Sequence, residues 1–526
     1  MIKYRKMLTL LLLAAFLLCP VKSAFALGAE PPMVTAGSPE ETSSPYETLT
    51  GKSASEIVSM MGLGFNIGNT FDSTGGKLKD HETKWGNPVV TQELIDTIYD
   101  NGFDTVRIPI TWMDFISKDG TYTIDPDYLA RIKEVVDYCY NDGLFVIINA
   151  HHESWINIPT LDTDYLKVAE ELQALWTQIA TYFADYDQHL IFEGMNEPRM
   201  AGTDIEWTGR SEAYAAVNYL NAVFTTTVRS NGLGHNNERC LMITGYAAQT
   251  SLGIMRSIAL PTYQGKLVNN LVISLHSYTP YEFCLTDKKK TFSLANYSDT
   301  GSVNAVFRDI HDTFLKYGIP VIMGETGATN SGGNTDARVN WAYYTSKTAA
   351  SYGIPIVLWD NGAGGRSGGE CHQYISRKAN NKITFPEIFE ALHKGQAEVT
   401  RGSNVRLINP DSPIDAAPQQ RVSVSNFKTY KTTLTPAALP VIEPRETRPT
   451  PTPSPTPTPT EAPTVTEAPS EAVSETPSPT PAADDPEIED APLFSPVIAV
   501  IGLIGCVFMI SLGFYLIVRG IRNRKE

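Results

Sequence analysis

Two glutamates in this sequence each end an apolar stretch that is typical of a buried strand. Glu197 closes residues 191–197 (IFEGMNE), and the next residue, Pro198, lacks a backbone N–H and cannot continue an inner strand. A second run, residues 320–326 (PVIMGET), delivers Glu325 in the same way. Two carboxyl groups that meet in one pocket can share a reaction, because one can donate a proton while the other attacks or acts as a base.

The predicted strands also end in further side chains that bind ligands or move protons. These are, in chain order, Arg107, His151, Asn196, His276, Tyr278 and Trp359. Cleavage of a glycosidic bond needs such a set, because one acid protonates the leaving oxygen while a second attacks the anomeric carbon or activates water. The arginine and the tyrosine are predicted to keep the attacking carboxylate ionised. The other carboxyl group, in a less charged setting, is predicted to keep its proton.

The elements that must position these side chains are short apolar strands that alternate with helices over residues 51–396. Eight such strands imply parallel pairing through crossover helices. We therefore expect an α/β fold, a (β/α)₈ TIM barrel, in which the carboxyl ends of all strands meet on one face. A doubly wound open sheet is the structural alternative, but it leaves the polar residues after nearly every strand unexplained.

The first 50 residues are predicted to lie outside the barrel. Residues 1–26 combine a basic start, an apolar run and an Ala-Phe-Ala site, which is the pattern of a secretory signal peptide. Residues 27–50 are rich in Pro, Ser and Glu and are predicted to be flexible.

The chain after the barrel is predicted to lead to a membrane. Residues 397–442 are too few for a sizeable core and are predicted to extend the barrel or to form a neck. Residues 443–492 form a Pro- and Thr-rich linker, predicted to be disordered. Residues 493–518 are apolar and long enough for a transmembrane helix, and the basic tail 519–526 places that end in the cytoplasm. We expect an extracellular body anchored to the cell membrane.

Charge and cysteine usage exclude several classes of ligand. The formal net charge is −16 and no basic stripe runs through the body, so nucleic acid is not an expected partner. The cysteines have no C-x-x-C spacing, and the adjacent His151-His152-Glu153 side chains diverge, so neither a metal nor another cofactor is expected. Whether Cys284 and Cys371 form a disulfide stays open.

The motifs around these residues resemble glycoside hydrolase family 5, the (β/α)₈ cellulases, over residues 62–395. The matching segments are 64–70 (GFNIGNT), 82–88 (ETKWGNP), 106–112 (VRIPITW), 148–153 (INAHHE), 192–199 (FEGMNEPR), 276–278 (HSY), 324–327 (GETG) and 358–362 (LWDNG). The first two resemble a subfamily rich in endo-β-1,4-glucanases. Ser277 is a departure, because many relatives carry an aromatic residue there.

The resemblance implies a role for each matched residue. Glu197 matches the acid/base and Glu325 the nucleophile of a retaining double displacement. Asn196 matches the residue that binds the sugar 2-hydroxyl, and Arg107 and Tyr278 match the partners of the nucleophile. His151 and His276 match residues that bind substrate and orient the acids, and Trp359 matches the platform under the sugar. Asn69 and Trp207 match substrate-side positions. His152 is a further candidate for binding substrate, and a supporting role in the loop is its alternative.

The sequence thus predicts an endo-β-1,4-glucanase that acts as a monomer on cellulose-type β-glucan. A xyloglucanase, a mixed-linkage glucanase or a xylanase of the same family is the alternative. A non-catalytic polysaccharide-binding protein of the cell surface is the alternative from another class. Trp85, Trp112 and Trp155 are further candidates for stacking on sugar rings, whereas Trp176 and Trp341 fit helix packing.

Overall fold

The computed structural model describes residues 48–365, 369–399, 416–425 and 427–442. The chain divides into two units, Met1–Pro451 and Thr452–Glu526, and all described residues belong to the first. Its centre is a closed parallel barrel. The eight barrel strands are β1 (Leu63–Ile67), β2 (Thr105–Ile108), β3 (Phe145–Asn149), β4 (Leu190–Glu193), β5 (Leu241–Gln249), β6 (Leu271–His276), β7 (Val321–Thr326) and β8 (Ile356–Asp360).

Each barrel strand pairs with its neighbours in sequence, and β1 pairs with β8 to close the ring. The register at this closure sets Leu63 beside Ile356 and Ile67 beside Asp360. The predicted (β/α)₈ barrel is confirmed, and the open doubly wound alternative is wrong. Because all strands are parallel, their carboxyl ends share one face, which is where active sites of this fold lie.

Helices surround the barrel and follow the strands. They are α1 (Ala54–Met60), α2 (Gln92–Asp100), α3 (Pro126–Asn141), α4 (Leu161–Tyr182), α5 (Ser211–Asn231), α6 (Leu252–Ser257), α7 (Tyr281–Cys284), α8 (Tyr297–Thr313), α9 (Thr335–Ser351) and α10 (Pro386–Ala397). Gly102 and Gly143 follow α2 and α3 with φ of 85° and 68°, as expected for glycines that end helices.

The barrel interior is apolar at the amino-terminal end of the strands. Inward-facing Phe145, Ile147 and Met242 form one buried cluster with Ile57 and Val58 of α1. The short helix α1 therefore closes this end of the barrel, and a capping box between Ser53 and Glu56 fixes its start. The opposite end stays lined with polar residues.

Helix α6 and a pair of short strands, Leu260–Tyr263 and Lys266–Leu267, follow β5 directly. Residues after the barrel pair with the first of these strands, through Arg421 beside Leu260. The backbone N–H of Ala437 donates to the carbonyl of Tyr182 at the end of α4. The described residues 416–425 and 427–442 therefore run along the outside of the barrel.

Several predictions lie wholly or partly outside the described residues. These are the signal peptide 1–26, most of the segment 27–50, the linker 443–492, the membrane helix 493–518 and the tail 519–526. Among the described residues, no helix has both the length and the apolar character needed to span a bilayer. Cys284 and Cys371 are both buried and are not joined by a disulfide.

Candidate active site

Glu197 lies just past the carboxyl end of β4. The strand ladder continues beyond β4, since the N–H of Asn196 donates to the Ala150 carbonyl at 2.9 Å, and this holds the Asn196-Glu197 pair at the barrel mouth. The Glu197 carboxylate contacts His276 Nδ1 at 2.8 Å and Arg199 Nη1 at 3.5 Å. Glu197 therefore stands between two basic side chains.

Glu325 faces Glu197 from strand β7. Its carboxylate accepts hydrogen bonds from Arg107 Nη1 and from the Tyr278 hydroxyl, each at 3.0 Å. One carboxylate oxygen of Glu197, one of Glu325 and a ring nitrogen of His276 all lie within 4.8 Å of one another. The two acids predicted from the sequence are thus brought into a single site with His276 between them.

Arg107 organises the floor of this site. It is fully buried, and its Nη1 also donates to Asn66 at 2.9 Å while Nη2 donates to Asn196 at 2.7 Å. Its Nε and Nη2 both contact Glu193 Oε2 at 2.8 Å. Because every N–H group of the guanidinium is engaged, the side chain has one orientation, and it fixes Glu325 relative to Asn196.

The protonation tendencies of the two acids differ from the prediction. Burial raises the pKa of Glu325, and the charges of His276 and Arg107 offset that rise only in part. Burial also acts on Glu197, but its hydrogen bond to His276 and the nearby charges outweigh burial and lower its pKa. The expectation that the acid/base sits in the less charged setting is therefore wrong, since it ignored His276 and Arg199.

His276 is the third titrating group of the site. Burial lowers the pKa of its imidazole, but the charges of Glu325 and Glu197 raise it by more, so the pKa lies above the ordinary value. Burial also raises the pKa of Tyr278 far above 10, with Glu325 adding to the effect. Tyr278 therefore stays protonated and remains a hydrogen-bond donor to Glu325.

Aromatic and imidazole rings form one wall of the mouth. Trp359 is 8% exposed, and its ring is parallel to that of His151 with the ring centres 6.0 Å apart. His152 packs against His151 on one side and against the exposed Trp85 on the other. Burial lowers the pKa of both histidines, to about 4 for His152, so both are neutral at neutral pH. Neutral rings beside an indole suit an uncharged sugar.

The loops after β1 and β8 are tied together behind this wall. Asn87 Nδ2 donates to the carbonyls of Gly68, Asn69 and Asn361 at 3.3, 3.1 and 3.0 Å. Arg377 adds a bond to the Gly68 carbonyl at 2.9 Å. Asn69 has a left-handed φ of 55°. The conformation that presents Asn69 therefore depends on these buried donors.

Trp207 lies in the loop between β4 and α5. It is 52% exposed, and the Arg199 guanidinium lies 4.6 Å from its ring centre. Arg199 in turn contacts Glu206 at 3.0 Å. An exposed indole held flat by an arginine is a suitable surface for a sugar ring.

The other tryptophans divide between packing and the mouth. Trp176 and Trp341 are fully buried, as predicted for helix packing. Trp112 is also fully buried and donates to the Asn149 carbonyl, so its predicted role as a stacking surface is wrong. Trp155 is half-buried and donates to Glu153 at 2.7 Å.

A second cluster of possible ligands lies beside His151 and His152. Asp72, and not the adjacent Glu153, brings a carboxylate oxygen within 4.8 Å of their ring nitrogens. Both Asp72 oxygens already accept backbone N–H groups, from Asn69 at 3.0 Å and Thr70 at 2.7 Å. These bonds give the carboxylate a structural role in the β1 loop. The expectation of no metal stays a prediction.

Residues 67–365 match the family model described as Cellulase (glycosyl hydrolase family 5). The chain belongs to glycosyl hydrolase family 5. Endoglucanase A of Ruminococcus albus is 39% identical over 293 residues, which are 55% of this chain and 78% of that protein. The prediction of a family 5 glycoside hydrolase of the endo-1,4-β-glucanase type is confirmed.

Solved structures of family 5 enzymes have the same fold. A broad specificity endoglucanase from Ruminococcus flavefaciens is 40% identical with a TM-score of 0.62, covering 66% of this chain and 99% of that one. A lichenase from Caldicellulosiruptor sp. F32 is 33% identical with a TM-score of 0.62, covering 67% and 97%. A xyloglucan-specific endo-β-1,4-glucanase from a metagenomic library is 35% identical with a TM-score of 0.59, covering 64% and 97%.

The structure brings most of the predicted site residues into one mouth. Arg107, Asn196, Glu197, His276, Tyr278 and Glu325 form one connected set of hydrogen bonds and ion pairs. His151, His152 and Trp359 line the wall beside it, and Trp207 reaches it through Arg199. Asn69 joins through the loop behind Trp359.

Sequence reasoning missed the polar residues beneath the mouth. Glu193, Asn66 and Asn149 are all fully buried and all contact the site network. A charged residue is almost never buried without a partner, so a glutamate inside an apolar strand was the signal that could have identified Glu193.

Proposed function

We propose that this family 5 enzyme is a retaining endo-β-glycanase that cleaves β-1,4-glucan chains by double displacement. Glu325 attacks the anomeric carbon, and Glu197 first donates a proton to the leaving oxygen and then activates water. The observation that carries the proposal is the approach of the two acids, whose closest oxygens lie within 4.8 Å of one another. Retaining enzymes place their carboxyl groups about 5–5.5 Å apart, whereas inverting enzymes need about 6.5–9.5 Å to admit a water.

The contacts of each acid support these roles. Arg107 and Tyr278 direct two donors at Glu325, which favours a carboxylate that must be ionised to attack. Glu197 contacts an imidazole at 2.8 Å, which is a group able to exchange a proton near neutral pH. A surface protein that only binds polysaccharide does not need two buried carboxyl groups, one contacted by Arg and Tyr donors and the other by an imidazole. The non-catalytic alternative is therefore disfavoured.

The roles of the acids are tested by substitution. Glu325→Gln is expected to lower kcat on soluble β-glucan by on the order of 10⁴-fold or more while leaving binding intact. Glu197→Ala is expected to hydrolyse aryl glycosides with good leaving groups and to form a β-glycosyl azide when azide is added. The matched control is Glu390→Gln, which removes an exposed carboxylate on α10. Wild-type turnover by Glu325→Gln, or an α-azide product, contradicts the mechanism.

The preferred glycan is proposed to be cellulose-type β-1,4-glucan, with mixed-linkage glucan and xyloglucan as further substrates. The basis is the similarity to enzymes described as broad specificity endoglucanase, lichenase and xyloglucan-specific endoglucanase. Comparing kcat/KM on carboxymethylcellulose, mixed-linkage glucan, xyloglucan and xylan tests the ranking. A preference for xylan by more than tenfold contradicts it.

We also propose that the enzyme acts as a monomer outside the cell, anchored to the membrane by residues 493–518. The sequence supports this through the leader-like residues 1–26, the apolar segment near the other end and the basic residues that follow it. Deletion of residues 493–526 is expected to release activity into the medium. Unchanged membrane retention of the deleted protein contradicts the anchor, and light scattering of the released enzyme tests the monomer.

A further inference from the structure

A third carboxylate, Glu193, lies beneath the two acids of the proposed reaction. It is the last residue of β4 and is fully buried. Its oxygens accept from Arg107 Nε at 2.8 Å, from Asn149 Nδ2 at 2.9 Å and from the Ser274 hydroxyl. The groups that contact this carboxylate are all hydrogen-bond donors.

Arg107 connects this buried carboxylate to the reacting groups. One edge of the guanidinium contacts Glu193, and the remaining N–H groups reach Glu325 at 3.0 Å and Asn196 at 2.7 Å. An arginine side chain has several rotatable bonds, so its head group needs a fixed anchor to present the same N–H groups to the same partners. Glu193 supplies the anchor on the side away from the substrate.

Glu193 also changes the charge that Glu325 experiences. Arg107 carries a single positive charge and contacts two carboxylates at 2.8 and 3.0 Å. A cation at this distance lowers the pKa of a carboxylate and weakens it as a nucleophile. With a second carboxylate on the same guanidinium, part of that effect is cancelled at Glu325.

We propose that Glu193 is a positioning residue of the hydrolysis, which holds Arg107 in place and shares its charge so that Glu325 stays aligned and nucleophilic. The inference rests on the proposed role of Glu325 as the nucleophile. Glu193 touches neither substrate nor the reacting atoms, and it acts only through Arg107.

Two substitutions separate the effect of the charge of Glu193 from the effect of its side-chain length. Glu193→Gln keeps the size and removes the charge, so the unshared charge of Arg107 lowers the pKa of Glu325. We expect kcat to fall about 10–100-fold and the acid limb of the kcat/KM profile to move to lower pH. Glu193→Asp keeps the charge but is shorter by one methylene. We expect a similar fall in kcat, an almost unchanged KM and an acid limb at the wild-type pH.

The measurement is made per active site, with full-length enzyme titrated by a 2-deoxy-2-fluoro-glycoside. Asp187→Asn is the matched control, because Asp187 is a buried carboxylate that precedes β4 at the opposite end of the barrel. Its kcat and acid limb are expected to match wild type. If Glu193→Gln does not fold, the kcat of Glu193→Asp tests the positioning role by itself: a fall supports the role, and a value within threefold of wild type contradicts it.

Two results overturn the inference. One is a kcat within threefold of wild type in both variants, and the other is an acid limb that Glu193→Gln leaves in place. Glu325→Gln, assayed in parallel, separates the two proposals. Turnover by Glu325→Gln refutes the proposed mechanism, whereas an inactive Glu325→Gln beside a normal Glu193→Gln refutes only the role of Glu193.

Discussion

Gly68 leaves the space that the Trp359 indole occupies. It directly follows β1, and a Cβ added there would lie 2.8 Å from Trp359 Cη2, 2.9 Å from Cζ2 and 3.0 Å from the Asp360 carbonyl oxygen. Its φ is outside the left-handed region, so alanine strains the contact and not the backbone. Ordinary contact begins at 3.4 Å, so the indole must shift by about 0.6 Å in Gly68→Ala.

A shift of this size at the proposed sugar platform is expected to lower kcat/KM about 10–100-fold, because small misplacements at a reacting centre are costly. That loss corresponds to about 1.4–2.7 kcal/mol of transition-state stabilisation. It is measured on soluble β-glucan, with circular dichroism and thermal unfolding to confirm the fold. Gly253→Ala is the control, since a Cβ at this position in α6 meets nothing within 4 Å. It is expected to match wild type.

A double-mutant cycle shows whether the loss acts through the indole. Trp359→Phe removes the Cη2 and Cζ2 atoms that the new methyl group of Gly68→Ala meets. In that background Gly68→Ala is expected to cost less than threefold, so the two effects are not additive. Full additivity, or a Gly68→Ala enzyme within twofold of wild type, refutes the reasoning.

Three further predictions concern the scaffold. Arg239 is fully buried and donates to five backbone carbonyls. Arg239→Met should therefore lower the free energy of unfolding by about 3–5 kcal/mol but leave kcat of the folded enzyme intact. The control Arg256→Met replaces an exposed arginine and should cost almost nothing. Burial raises the pKa of Glu153 from 4.5 to about 8. The stability of the wild type should therefore fall as pH rises between those values, by up to about 1.4 kcal/mol per pH unit. The melting temperature of Glu153→Gln relative to wild type should rise over the same range. A constant difference across pH 5–8 would contradict this. Asn87→Ala leaves three loop carbonyls without their donor and should lower kcat/KM about tenfold, which an unchanged value on soluble β-glucan would refute.

The sequence was informative where a local pattern has a single structural meaning. Short apolar runs that alternate with helices and end in polar residues fit a parallel barrel, and Pro198 marks the point at which β4 has ended. Because the strand ends converge in a barrel, placing Glu197 and Glu325 at those ends was enough to predict that they meet.

The sequence pattern does not predict in which direction a side chain points or which residues it contacts. Asn66, Asn149 and Glu193 lie within strands, and a strand's apolar character does not show which polar residue points inward to Arg107. Helix α6 has only six residues, which is too short for a helical period to be visible in the sequence. Trp112 follows a strand like the site residues do, but its indole turns into the core.

The proton balance of the site is the feature that sequence spacing could least predict. The charges of both carboxylates raise the pKa of His276, which favours a protonated imidazole in the resting pocket. His276 Nδ1 is hydrogen-bonded to Glu197 at 2.8 Å and lies farther from Glu325, at 3.6 Å. The groups that donate hydrogen bonds to Glu325, Arg107 and Tyr278, do not release their protons at neutral pH. The imidazole can therefore pass a proton along its hydrogen bond to Glu197, whereas it has no hydrogen bond of this length to Glu325. The lowered pKa of Glu197 is consistent with its proposed role as the acid, because in this site the role depends on which carboxylate is hydrogen-bonded to a group that can release its proton.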